Sequence, residues 1–207
     1  MAARTIGHLF TITGPDEPLL LSGNRVTSNY FETLGIAPLL GRTFRAEEER
    51  AGNDGVVLLS YGLWQRRFGA DRAIVGRTLT IEGAPATVIG VMPATLDATT
   101  QDQLWMPLPF GKQELTVRRF HFLRVIARLA PGVSFAQAQA QMDGIARGLE
   151  ATYSENKTWS LRLVPLQEVV VGDVRTPLLL MMGAVGIVLL IACTNTANLF
   201  FARNVVC

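Results

Sequence analysis

A long uncharged stretch near the C-terminus limits what this chain can fold into more than any other feature. No residue from Thr176 to Ala202 is charged, and the run from Leu178 to Cys193 is almost wholly apolar. A helix that crosses the hydrocarbon core of a bilayer needs roughly 20 such residues. Leu, Ile, Val and Phe supply twelve residues of 178–201, which favours insertion by about 4–7 kcal/mol. We predict a membrane helix over 177–202, with Pro177 in its first turn, where a missing N–H is tolerated.

The alternative for this stretch is the buried core helix of a soluble protein, although such helices rarely lack a charged face. Polar and small residues within it favour contact with other membrane helices. The amides of Asn195 and Asn198 need hydrogen-bonding partners that lipid cannot supply. Gly183 and Gly186 would let a neighbouring helix approach closely. These four residues are the predicted helix-packing site.

The rest of the chain has the composition of an ordinary globular domain. A net charge of +2 gives no strong attraction to nucleic acid. Cys193 lies in the apolar stretch and Cys207 is the last residue, so neither suits a structural disulfide. His8 and His121 have no Cys, Asp or Glu at ligand spacing. We predict no metal site, no cofactor and no catalytic residues, since no catalytic motif is present.

Short strands and helices are predicted before the uncharged stretch. Residues 56–60 form a short apolar run that predicts a buried strand, and Ser60 then caps a helix that ends at Gly69. Trp64 falls on the apolar face of that helix and is predicted to lie in the core. Residues 77–92 alternate around a Gly-containing turn, which predicts a hairpin. The carboxylates of residues 46–51 are interpreted as a solvated face.

Residues 121–166 predict a strand–helix–strand unit. Residues 121–129 alternate, with Arg124 and Arg128 pointing outward. Ser134 and Gln137 form a capping box at the start of a helix, and a return strand follows over 159–166. The residues that recur on one face of that helix, and that are expected to pack on a sheet, are Phe135, Ala138, Met142, Ile145 and Leu149.

The N-terminal residues, MAARTIGHLFTITG, contain no apolar core of the length that a secretory signal requires. A domain outside the cytoplasm would therefore depend on an upstream segment for its export. The charges that flank the apolar stretch do not decide its orientation. Both locations of the domain remain open on the residues alone.

Several motifs, in order, resemble the MacB-like periplasmic core domain of ABC-transporter permeases followed by the start of an FtsX-like permease domain. The matching stretches are VTSNYFETLGIAPLLGRTF (26–44), VVLLSYGLWQRRFGAD (56–71), IVGRTLTIEGAPATVIGVMP (74–93), LWMPL (104–108), LRVIARLAPGVSFAQAQAQMD (123–143) and LVPLQEVVVGDVRTPLLLMMGAVGIVLLIACTNTANLFFAR (163–203).

The resemblance implies an α+β extracytoplasmic domain with a mixed sheet, over residues 1–172, followed by a transmembrane helix over 177–202. Its porter-like part would combine residues 20–52 with 121–166, and a smaller subdomain would be inserted near 55–115. The resemblance also implies a bacterial plasma-membrane location and a separate ABC ATPase subunit or domain. Further permease helices, and a second permease copy, would be partners within the lipid. The chain lacks the family's first membrane helix, its last two membrane helices and any ATP-binding motif, so we expect a fragment.

The function implied by the resemblance is ATP-driven export or mechanotransmission, in which the outer domain moves with the membrane helix. This requires a stiff link, and residues 166–177 are short, β-branched and poor in glycine. Val169, Gly172 and Pro177 are the residues predicted to form this coupling linker. Two other functions stay open: a membrane-anchored extracytoplasmic binding or regulatory module without transport, and an anchored enzyme.

Overall fold

The computed structural model of the protein contains two compact units, Met1–Ser160 and Leu161–Cys207. It describes the backbone alone for residues 170–176 and 196–205. The residues that it describes are 1–13, 17–97, 99–109, 122–153 and 160–205.

One mixed sheet forms the centre of the first unit. Six of its strands close into a barrel in the order β2-β6-β7-β5-β8-β3, because β3 also pairs with β2. The β3–β8 and β5–β7 pairs are parallel, and the other pairs within the barrel are antiparallel. The strands in the described residues are β1 (Ala2–Thr5), β2 (His8–Thr13), β3 (Leu19–Val26), β4 (Leu40–Gly41), β5 (Val56–Leu59), β6 (Thr78–Ile81), β7 (Ala84–Val91), β8 (Leu104–Pro107) and β9 (Leu123–Ile126).

The remaining strands extend the sheet from the barrel. β1 pairs with β3, and β9 pairs with the other edge of β1. β4 pairs with β7. The mixed α+β architecture predicted from the sequence is confirmed. The barrel includes β2 and β3 as well as the strands of residues 56–107, so the stretch predicted as an insert shares one sheet with strands nearer the N-terminus.

Alternating side chains of the barrel strands fill its interior. Phe10 of β2 and Leu21 of β3 face each other across the ladder, and both are buried. Gly23 leaves room for the Phe10 ring, because a Cβ at Gly23 would lie 2.4 Å from the Leu104 carbonyl oxygen and 3.0 Å from that ring. Trp64 packs against the same core, as predicted, and its indole N–H donates to the Asp71 carbonyl.

A second apolar cluster covers the outer face of the barrel. Leu58 of β5 and Trp105 of β8 point away from the barrel interior and are fully or almost fully buried. The Phe31 ring meets Trp105 edge-on, with ring centroids 5.6 Å apart. Phe31 and Phe44 thereby close the domain over this face of the sheet.

Helices are placed where the sequence supplies caps. The Ser60 hydroxyl accepts the Leu63 N–H at 3.1 Å, and Gly69 ends that helix with a φ of 59°. The capping box between Ser134 and Gln137 is present, as predicted. The α-helices are α1 (Tyr30–Leu34), α2 (Tyr61–Phe68), α3 (Ala94–Asp97), α4 (Phe135–Thr152) and α5 (Leu166–Val205), and the 3-10 turns are Ala46–Glu49 and Arg72–Ile74.

The predicted hairpin is also confirmed. β6 and β7 are joined by a two-residue turn, Glu82-Gly83, in which both residues have positive φ, 52° and 79°. Turns with this pair of signs match the twist of the flanking strands, and glycine at the second position relieves the strain there.

The predicted packing of α4 is wrong in most of its detail. Ala138 is the buried residue of this helix, whereas Ile145 is 53% exposed and Phe135 is 43% exposed. The apolar spacing correctly predicted a helix. Among the described residues, however, no other element covers most of the apolar face of α4. The predicted return strand also differs, because residues 160–165 are not a strand, and residues 154–159 lie outside the described part.

Candidate membrane-coupling helix

The helix α5 begins well before the uncharged stretch. The carbonyl of Pro165 accepts the N–H of Glu168 at 2.9 Å and that of Val169 at 3.3 Å, so the helix starts at Leu166. The prediction of a first helical turn at Pro177 is therefore wrong. Residues 166–176, predicted as a linker, belong to the same helix as the apolar residues that follow them.

Pro177 lies inside this helix, roughly three turns from its start at 3.6 residues per turn. A proline has no N–H, so the carbonyl four residues earlier, that of Asp173, has no helical donor at this point. The helix nevertheless continues to Val205, which makes it 40 residues long. At 1.5 Å per residue it spans about 60 Å, about twice the thickness of the hydrocarbon core of a bilayer.

One segment of α5 has the length and composition needed to cross a membrane. It runs over Pro177–Asn195 with a mean hydropathy of 2.4, and none of it is buried by the rest of the described chain. Leu180 is 71% exposed and Met182 is 70% exposed. By length and composition this segment is a candidate membrane span.

The predicted helix-packing residues lie on more than one face of α5. Gly183 and Gly186 are about 60° apart around the helix axis, whereas Asn195 lies about 120° from Gly183 and about 180° from Gly186. No atom beyond the helix backbone lies within 4 Å of a Cβ built at either glycine. The glycines and Asn195 therefore face different directions. The side chain of Asn198 lies outside the described residues, although its backbone continues the helix.

Thr194 and Asn195 differ in whether their polar side chains have a hydrogen-bonding partner within the described chain. Thr194 donates to the carbonyl of Leu190 at 2.8 Å, so its hydroxyl needs no partner outside the helix. The Asn195 side chain is exposed and forms no hydrogen bond with any residue that the structure describes. Of these two polar residues, Asn195 is the one that still needs a partner in an apolar medium.

The contacts of three arginine side chains in the first unit were not predicted from the sequence. The carboxylate of Glu48, interpreted as part of a solvated face, is buried and paired with Arg42. Arg128, interpreted as outward-pointing, donates to the Thr33 carbonyl at 3.0 Å, near the C-terminal end of α1. Arg25 lies between Asp54 and Glu82. Arg42 and Glu48 are close in the chain, so their pairing could have been predicted from neighbouring residues. The contacts of Arg128 and Arg25 join segments that are far apart in the chain.

The described residues contain no group of three or more His, Cys, Asp or Glu side chains placed to hold a metal ion. Cys193 is exposed on the apolar helix, and Cys207 lies outside the described residues. A functional assignment therefore rests on the barrel domain and on the helix α5.

Comparison with known proteins gives a family for the first unit. The family model for the MacB-like periplasmic core domain matches residues 2–145. No curated protein matches the chain.

Solved structures of similar fold include an extracellular domain and a periplasmic region. The chain is 18% identical to the extracellular domain of the noncanonic ABC-type transporter YknZ from Gram-positive bacteria, with a TM-score of 0.54 and coverage of 74% of this chain and 75% of that one. It is 15% identical to the periplasmic region of MacB from Actinobacillus actinomycetemcomitans, with a TM-score of 0.53 and coverage of 72% and 67%. For a permease-protein domain from Porphyromonas gingivalis the values are 17%, 0.52, 80% and 78%.

The family match includes β1 and β2, which precede the first of the matching motifs, and it ends within α4. Because the family model matches residues 2–145 of 207, the chain belongs to the MacB-like periplasmic core domain family.

Proposed function

We propose that this chain is the extracytoplasmic domain and an adjoining membrane helix of an ABC-transporter permease, and that the helix transmits ATP-driven movement to the domain. The family of the first unit and the candidate membrane span of the second support this assignment. The domain lies outside the cytoplasm of a bacterial cell, and the helix lies in the plasma membrane. ATP is hydrolysed by a separate ATPase subunit or domain, so the chain is not itself an enzyme.

The observation that carries the proposal is the continuity of α5. Helix runs without a break from Leu166 through the candidate span, and Val169, Gly172 and Pro177 all lie within it. A helix is a stiff connection, whereas a Gly/Ser-rich segment behaves as a flexible coil. A domain that needed only an anchor would not require the residues just before the span to be helical. We therefore place mechanical coupling in residues 166–177.

The helix needs neighbours in the membrane to transmit force. Gly183 and Gly186 would admit one helix at close range, and Asn195, with Asn198 beyond it, would offer hydrogen bonds to a second. Further permease helices, or those of a second permease copy, are the partners of suitable chemistry, and lipid covers the remaining apolar surface. Two faces with different side chains fit a helix held inside a bundle better than a helix alone in lipid.

The experiment compares two insertions of equal length after Gly172 in a transport-competent assembly. Seven Gly/Ser residues add a flexible coil with an end-to-end spread of roughly 13–16 Å. Seven Ala-rich helical residues extend the rod by about 10 Å and preserve its rotational phase to about 20°. We expect both proteins to insert and to support ATP hydrolysis, and only the helical insertion to retain a substantial part of the ATP-dependent function.

Full function with the flexible insertion would contradict the coupling role and favour the second candidate, an anchored binding or regulatory module. That candidate keeps the extracytoplasmic domain and its membrane helix but requires only tethering. Loss of function with both insertions would also contradict the proposal that coupling depends on the stiffness of α5, because the helical insertion preserves that stiffness.

A further inference from the structure

A basic surface covers the segment from α2 to the start of β6, residues 61–80. Its four arginines, Arg66, Arg67, Arg72 and Arg77, are all exposed, and we call them the arginine patch. Asp71 is the one acidic residue in this segment. A local excess of positive charge of this size attracts an anionic partner.

The fold of the segment leaves the arginines on its outer side. Three apolar side chains of the segment are buried in the barrel core: Leu63, Trp64 and Ile74. The N–H of Asp71 donates to the Phe68 carbonyl at 3.1 Å, which ties the turn to the end of α2. The N–H of Arg77 donates to the Ile74 carbonyl at 3.1 Å, just before β6. The patch is therefore carried by a compact segment whose backbone is fixed against the barrel.

Asp71 and Asp97 lie beside the patch, and backbone N–H groups already bind both carboxylates. Asp71 accepts the Ala73 N–H at 2.9 Å, and Asp97 accepts the Gly62 N–H at 2.7 Å, close to Arg66. Among the residues that the structure describes, three members of the patch form no ion pair: Arg66, Arg72 and Arg77. Four positive charges thus face two negative ones, and the excess is available to an anionic partner.

The surroundings of the patch favour lipid headgroups over a protein surface. Protein interfaces combine charge with aromatic or apolar anchors. The rings of this segment supply no such anchor, since Trp64 is 7% exposed and Tyr61 and Phe68 pack against the barrel core. The largest exposed apolar side chain of the segment is Val75, at 36%. Four other exposed residues are small: Gly69, Ala70, Ala73 and Gly76. What this surface offers is chiefly charge, the feature that anionic headgroups recognise.

The first unit is tethered close to the candidate span. The chain between Ser160 and Pro177, extended up to Leu166 and helical after it, reaches at most about 35 Å. A bilayer that holds α5 therefore lies within reach of the first unit.

From this charge distribution we propose that the arginine patch docks on the phosphate headgroups of an anionic bilayer. A planar guanidinium donates two hydrogen bonds to one phosphate, so several such pairs can form without a shaped pocket. Each arginine near an anionic surface strengthens binding by about fivefold. Salt screens this attraction, over about 10 Å at 0.1 M. The proposal rests on α5 being a membrane helix and does not depend on the transport function.

Fluorescence quenching in nanodiscs that hold the full chain tests the docking. All proteins carry Cys193→Ser, Cys207→Ser and a fluorophore at Ala73→Cys, an exposed position beside the patch. Both kinds of disc contain the same fraction of phosphatidylcholine with a spin label on its headgroup, and one kind also contains about 30% phosphatidylglycerol. We expect about two- to fivefold stronger quenching in the anionic discs at about 0.05 M NaCl, and no difference between the discs at about 0.5 M.

Substitutions within and outside the patch separate its charge from the charge of the whole domain. Arg72→Gln with Arg77→Gln should abolish the difference between the discs, and Arg72→Lys with Arg77→Lys should keep most of it, because lysine retains the charge. The matched control is Arg50→Gln with Arg147→Gln, which removes two charges from exposed positions outside the patch and should keep the difference. If the first glutamine variant fails to fold, Arg66→Gln with Arg72→Gln takes its place.

Equal quenching of the unsubstituted patch in both kinds of disc would overturn the docking, as would a difference that survives in the glutamine variant. If the discs give no difference but soluble polyglutamate alters the fluorescence at position 73, the patch binds an acidic protein surface instead. Retention of the chain in the discs is measured separately. A chain that is not retained contradicts the membrane helix itself, and with it the docking, whereas a retained chain without the lipid effect contradicts the docking alone.

Discussion

Arg42 and Glu48 form a two-point ion pair: Nη2 of the arginine donates to Oε1 at 2.6 Å and Nη1 donates to Oε2 at 3.0 Å. The backbone N–H of Arg45 adds a third hydrogen bond to Oε2, at 2.8 Å. The carboxylate of the neighbouring Glu49 accepts the backbone N–H of Ser28, which attaches the one-turn helix Ala46–Glu49 to the segment after β3. These contacts hold Phe44, which lies between Arg42 and Glu48 in the chain, in the second apolar cluster on the outer face of the barrel.

The pH dependence of stability should report on Glu48. Burial acts to raise the pKa of this carboxyl, but the hydrogen bonds from Arg42 and the Arg45 N–H, with the charges of both arginines, outweigh it and leave the pKa below its ordinary value of 4.5. Since the folded pKa is lower than the unfolded one, the stabilisation is complete above about pH 4.5. It is lost as the pH falls through the folded pKa.

We expect Glu48→Gln to lower the free energy of unfolding by about 2 kcal/mol at pH 7, because it removes charged hydrogen bonds from a buried site. The difference from wild type should shrink as the pH falls below about 4.5. Urea denaturation of the detergent-solubilised chain measures both. Glu47→Gln is the matched control, since Glu47 is exposed and its contact with Arg45 is 3.8 Å long. Equal effects of the two substitutions would contradict the role given to Glu48.

Gly23→Ala should destabilise the barrel by about 1–3 kcal/mol, the cost typical of overpacking a filled core. The new Cβ would meet the Leu104 carbonyl and the Phe10 ring, neither of which can move without disturbing a strand pair. Thermal unfolding measures the change. Gly144→Ala, within α4 and with open space around its Cβ position, should instead stabilise by about 0.5–1 kcal/mol through helix propensity. A stable Gly23→Ala variant would contradict the tight barrel interior.

The two apolar positions of α4 should respond differently to a charge. Ala138→Asp places a carboxylate at a site that is 7% exposed, so it should cost several kcal/mol. Ile145→Asp, at a site that is 53% exposed, should change stability by about 0.5 kcal/mol or less. Melting temperatures of both variants settle the buried face of the helix. A larger loss at Ile145 would show that another layer covers α4 in solution.

Cysteines placed at Gly186 and Asn195 should crosslink to different neighbours in the assembled transporter, because these positions lie on opposite sides of α5. Asn195→Leu should weaken helix packing by only about 0.6 kcal/mol, the average measured for polar contacts between membrane helices. Mass spectrometry identifies the crosslinked segments. Crosslinks from both positions to one segment, or from both to lipid alone, would contradict the two-face arrangement.

Local signals in the sequence were enough to predict the capped helices and the β6–β7 hairpin. Ser60, Gly69, Ser134 and Gly83 each act within a few residues, so their effect is readable from neighbours alone. The strands β1 and β2 were missed, although His8, Phe10 and Ile12 alternate with Leu9, Thr11 and Thr13. That alternation is the period-2 signal of a strand.

The remaining features depend on contacts that no local pattern encodes. Closure of the barrel requires β3 to pair with both β2 and β8, and the second pairing joins residues far apart in the chain. One local signal was misinterpreted: Pro177 suggested the first helical turn, whereas the helix starts at Leu166, directly after Pro165. The helix-packing and coupling residues remain predictions.

Barrel closure also sets an order of events during synthesis. Gly23 on β3 pairs with Leu104 on β8, roughly eighty positions later, so the ladder between them cannot form until β8 has been synthesised. Until then β2 and β3 are at most a hairpin with two unpaired edges, which invites pairing with other chains. The first 26 residues of the domain are therefore synthesised first but complete their strand pairing only after β8 has been made.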